Sequence, residues 1–79
     1  MKRLTTRTAD GVSTSDPAAA LERLAQIEDM LEGLQAESAQ IALELDTLRV
    51  QGRTKSPRFR EQLARKMTNR EILSRFGIV

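Results

Sequence analysis

From Asp16 to Val50 apolar side chains recur at alternating steps of three and four residues. With Leu24 at heptad position a, that series reads Leu24, Leu31, Ser38 and Leu45, and the d series reads Ala20, Ile27, Leu34, Ile41 and Leu48. Such spacing keeps one stripe on one face of a helix and predicts a coiled-coil-like seam. The start is marked by Asp16-Pro17, an N-cap aspartate followed by a proline whose missing N–H costs nothing at the first helical position. At 1.5 Å per residue the helix runs about 50 Å, too long to bury its stripe without a partner. Ser38 interrupts the seam at an a position, and Gly33 is a candidate bend. Leu43 and Val50 lie off the stripe, one heptad apart, which gives the second half of the helix another apolar face.

The period breaks at Gln51-Gly52-Arg53-Thr54-Lys55, with Gly52 suited to end the helix, and Ser56-Pro57 restarts one. Phe59, Leu63 and Met67 then recur at i, i+4 and i+8, predicting a short amphipathic helix with that stripe inward. Thr68-Asn69-Arg70-Glu71 has the form of a capping box, with Met67 and Ile72 as its hydrophobic staple, and predicts that a further helix begins at Thr68. Gly77 and Ile78 fit the C′ and C″ positions of a Schellman motif whose C3 residue is Leu73. Before the long helix, Leu4 to Thr8 has strand character and Asp10-Gly11 is a hairpin turn pair. Too little apolar sequence flanks them to stabilise an isolated hairpin. The expected architecture is all-α: a flexible arm over residues 1–15, a long amphipathic oligomerisation helix over 16–51, and a basic loop with two short helices over 52–79. Leu24, Ile27, Leu31, Leu34, Ile41, Leu45 and Leu48 form the self-association seam of a helical bundle.

Composition narrows the chemistry. The 79 residues contain no Cys and no His, so no disulfide, thiol nucleophile, imidazole base or Cys/His metal site is available. No catalytic constellation, metal site or cofactor is expected. No apolar run approaches the roughly 20 residues of a membrane span, and the threonines after Leu4 do not read as a signal peptide. A cytoplasmic protein with no membrane contact is expected.

The net charge of +2 hides a strong asymmetry. Residues 16–48 carry eight acids and one base, Arg23, for a net −7, whereas residues 49–79 carry nine bases and two acids, for a net +7. That division points to an anionic partner for the basic half or to pairing of the two halves. The densest basic segment surrounds a helix N-terminus, so Arg53, Thr54, Lys55, Ser56, Arg58 and Arg60 are candidate ligands for a phosphate. It is not a Walker A loop, because the glycine spacing and the Gly-Lys-Ser/Thr ending are missing. The competing reading pairs these bases with Glu28, Asp29, Glu32, Glu37 or Glu44. Phe59 and Phe76 sit on apolar stripes, which favours packing over base stacking.

Two stretches, MKRLTTRTADGV and LRVQGRTKSPRFREQLARKMTNREILSRFGI, resemble small helical proteins encoded by bacterial phages, prophages and conjugative elements. The resemblance implies a counter-defence role in a bacterial host, with no residue roles attached to it. Such proteins include sequestering proteins for nucleotide immune signals and anti-CRISPR-like inhibitors. The expected function is therefore non-enzymatic: an oligomer that binds a nucleotide or nucleic acid through its basic segment. The alternatives are an inhibitor that offers Glu28, Asp29, Glu32 and Glu37 to a host defence protein, and a structural coiled-coil adaptor.

Overall fold

The computed structural model describes residues 1–78 and contains two helices and a small antiparallel strand pair. Strands β1 (Thr6–Thr8) and β2 (Gly11–Ser13) precede helices α1 (Pro17–Val50) and α2 (Pro57–Arg75). Two compact units divide the chain, one of Met1–Met30 and one beginning at Leu31, so the uninterrupted α1 contributes to both. Among the described residues no helix is long and apolar enough to cross a membrane.

In the first unit β1 and β2 pair with Thr6 opposite Ser13, Arg7 opposite Val12 and Thr8 opposite Gly11. Residues expected to form a structureless arm thus carry a hairpin, and tethers outside the strands explain why. The Thr14 hydroxyl donates to the Leu4 carbonyl at 2.7 Å, and the Arg23 guanidinium on α1 donates to the Lys2 carbonyl at 2.5 Å. Polar anchoring replaces the missing apolar flanks. Helix α1 begins as its sequence dictates: the Ala19 N–H donates to the Asp16 carboxylate at 3.0 Å, and the Asp16 N–H donates to the Thr14 hydroxyl at 3.1 Å.

The second unit holds the core. Leu31, Ile41, Leu45 and Leu48 of α1 and Leu73 of α2 are buried there, Leu34 and Ser38 partly so, and Gly33 sits within unbroken helix. The stretch of seam from Leu31 to Leu48, assigned from sequence to self-association, is therefore largely covered within the single chain. Helix α1 ends at a Schellman motif: Gly52 adopts φ 68°, its N–H donates to the Arg49 carbonyl, and the Arg53 N–H donates to the Leu48 carbonyl at 2.8 Å. Helix α2 ends the same way. Gly77 adopts φ 73°, and the Ile78 N–H donates to the Leu73 carbonyl at 2.9 Å.

One expected break is absent. Residues 57–75 form a single helix, not two short ones, and Thr68 lies inside it with its hydroxyl donating to the Ala64 carbonyl at 3.1 Å. A capping box needs its first residue outside helical geometry, and no Gly or Pro between Arg58 and Phe76 enforces that. Continuing the helix instead delivers Asn69 and Leu73 to the interface with α1, where both are buried.

Candidate functional site

The interface between α1 and α2 is polar on one side and repeats itself. Glu44 accepts from the Arg58 guanidinium at 2.5 and 3.2 Å, and from the Gln62 amide at 2.7 Å. One heptad away, Glu37 accepts from the Asn69 amide at 3.2 Å and lies 3.8 Å from the Arg65 guanidinium. Each cluster comprises one glutamate, one arginine and one side-chain amide. Their order fixes an antiparallel helical hairpin, since Glu44 meets the start of α2 and Glu37 its middle. Gln62 and Asn69 are each 5% exposed, so α2 buries polar groups where its most apolar stripe was expected to face inward. Leu63 and Met67 of that stripe remain 37% and 64% exposed. Phe59 is partly buried beneath Arg49, whose guanidinium carbon lies 5.5 Å from the ring centroid, and Phe76 is exposed.

The hydrogen bonds from Arg58 and then Gln62 hold the Glu44 carboxyl below its ordinary value, and Glu44 in turn raises that of Arg58. Arg58 is thus a structural cation. Ser56 is similarly committed: its hydroxyl accepts from the Phe59 N–H at 3.2 Å as the N-cap of α2, and donates to the Arg53 carbonyl at 2.7 Å. Two of the six expected phosphate ligands are accordingly engaged in building the hairpin, and the ion-pair reading holds for Arg58.

Arg53, Thr54 and Lys55 form the exposed loop after Gly52, and Arg60 is exposed one turn into α2. Among the described residues the ion pairs are Arg49 with Asp46, Arg58 with Glu44, Arg65 with Glu37 and Arg75 with Glu71. None involves Arg53, Lys55 or Arg60. These three cations surround the N-terminal turn of α2, where the helix dipole is positive. The acidic face also contracts, because Glu37 is taken by Asn69 and Arg65.

Sequence reasoning named Glu37 and Glu44 as neutralising acids but missed the amides. The sevenfold spacing of Glu37 and Glu44, Arg58 and Arg65, and Gln62 and Asn69 was the signal that joins them. No protein-family model, curated protein or solved structure matches the chain.

Proposed function

We propose that the protein acts by non-catalytic capture of a phosphate-bearing ligand at the α1–α2 loop. The observation that carries this reading is the division among its bases. Arginines facing α1 have carboxylate partners, whereas Arg53, Lys55 and Arg60 are exposed around the α2 N-terminus with no ion pair among the described residues. Thr54 adds an exposed hydroxyl beside them. Arg53 and Arg60 supply planar donors for phosphate oxygens, and Lys55 a compact charge. With the resemblance to mobile-element proteins, the role that fits is sequestration of a nucleotide signal in a bacterial host.

The test is calorimetric titration of cyclic dinucleotides, linear nucleotides and short DNA and RNA into the parent and an Arg53→Ala/Lys55→Ala/Arg60→Ala variant. Arg58→Ala is unsuitable, since it would remove the ion pair with Glu44 that joins α2 to α1. Binding of a nucleotide by the parent, lost in a variant of unchanged helicity, supports the reading. A compact ligand should show a shallower salt dependence than a polymeric duplex, which releases many counterions. Absence of binding across the panel, or equal binding by the variant, rejects it.

A further inference from the structure

We infer that the first unit binds an anionic amphiphile, a long-chain fatty acid, in the groove between the Met1–Thr5 segment and the first three turns of α1. The groove measures about 660 Å³, within the roughly 300–1,000 Å³ range of small-molecule pockets. Leu4, Leu21, Leu24 and Ile27 give it an apolar lining, and Leu21 and Leu24 remain 67% and 51% exposed. Eleven residues line it, whereas a stable protein interface engages about 20–30 a side, so its scale fits a small molecule better than a second protein chain.

Charge fixes the head group. Arg3 and Arg23 are the only charged side chains of the lining, and neither belongs to an ion pair among the described residues. Of the acids on this stretch, Asp16 is engaged as the N-cap of α1, and Glu22, Glu28 and Asp29 do not line the groove. One N–H tethers each arginine: Arg23 donates to the Lys2 carbonyl, and Arg3 to the Thr5 hydroxyl at 3.4 Å. A guanidinium carries five N–H donors, so each keeps donors for a further acceptor, and its planar fork matches a carboxylate. An alkyl tail along Leu21, Leu24 and Ile27 with its carboxylate against the arginines satisfies both features of the groove. A neutral or cationic amphiphile satisfies only the apolar one.

The experiment is calorimetric titration of decanoate, octanoate, acetate and decyltrimethylammonium into the parent, Arg3→Gln, Arg23→Gln and Leu24→Asp, each checked for helicity. Decanoate should bind the parent more tightly than octanoate, by up to about fourfold per added methylene. Acetate, a head without a tail, should not bind. Decyltrimethylammonium, the same tail with the opposite charge, should bind about tenfold more weakly than decanoate. Leu24→Asp should abolish decanoate binding, and each arginine variant should weaken it by about tenfold without weakening that of the cation. Arg23→Gln also removes the bond to the Lys2 carbonyl, so Arg3→Gln isolates the head-group contact. No binding of decanoate overturns the inference, as does equal affinity for the cation or full decanoate affinity in both arginine variants. Association with phosphatidylglycerol vesicles without binding of monomeric decanoate would assign the surface to a bilayer and overturn it too. So would a parent that ignores decanoate and sediments above its 8.9 kDa chain mass until Leu24→Asp disperses it, which would give the groove to a second copy. The Arg53→Ala/Lys55→Ala/Arg60→Ala variant should take up decanoate as the parent does, which separates this site from the nucleotide reading.

Discussion

At the scale of single residues, Glu44 shows how one carboxylate organises the hairpin. It receives three hydrogen bonds from α2 side chains, and its pKa in the folded chain is depressed below the ordinary 4.5. The folded state therefore holds its proton less tightly than the unfolded state does. Stability from this group is fully present above pH 4.5 and declines as the pH falls toward the depressed folded value. Thermal melts at descending pH should show the parent losing its advantage over Glu44→Gln across that window, with the two curves converging in acid. Parallel curves would show that Arg58 and Gln62 do not stabilise the ionised carboxylate. The two hydroxyls of α2 provide a second comparison. Ser56 is a true N-cap, so Ser56→Ala should cost about 1 kcal/mol. Thr68 merely back-bonds within the helix, so Thr68→Ala should be neutral or stabilising by a few tenths of a kcal/mol, as urea unfolding would register. Equal losses would place a helix start at Thr68 after all.

At the scale of elements, the ends of both helices were legible because their signals are local. Asp16-Pro17 and Ser56-Pro57 start helices, and Gly52 and Gly77 end them, through contacts within a few residues. Gly52→Ala and Gly77→Ala should each cost about 1 kcal/mol, since both positions need positive φ, whereas Gly33→Ala in the helix interior should stabilise by a similar amount. Chemical denaturation separates the two signs. The face that α2 buries was not legible, because hydrophobicity alone ranks Leu63 and Met67 above Gln62 and Asn69. Only the presence of Glu37 and Glu44 on the opposing helix reverses that order. The same long-range partners explain why the capping box at Thr68 stays unused: helix continuation brings Asn69 to Glu37. Between the helices, the Gln62 carbonyl oxygen is buried with no hydrogen-bond partner among the described residues, while its amide nitrogen serves Glu44. Gln62→Met retains the volume and removes the unpaired oxygen, and Arg58 still holds Glu44. The substitution should leave the melting temperature unchanged or raise it. A marked fall would show that the amide's bond to Glu44 outweighs its stranded oxygen.

At the scale of the whole molecule, the distribution of buried side chains predicts uneven stability along a helix that is geometrically continuous. Every fully buried residue among those described belongs to the unit that begins at Leu31, and none lies in Met1–Met30. Local opening needs little work where few apolar contacts are lost, so α1 amides before Met30 should exchange with solvent through fraying alone. Amides from Ile41 to Leu48 should exchange only when the hairpin with α2 comes apart, because Ile41, Leu45 and Leu48 must be uncovered together. Hydrogen exchange resolved along the chain should accordingly give low protection across β1, β2 and the first turns of α1, rising sharply beyond Leu31. A uniform profile along α1 would contradict the division into two units.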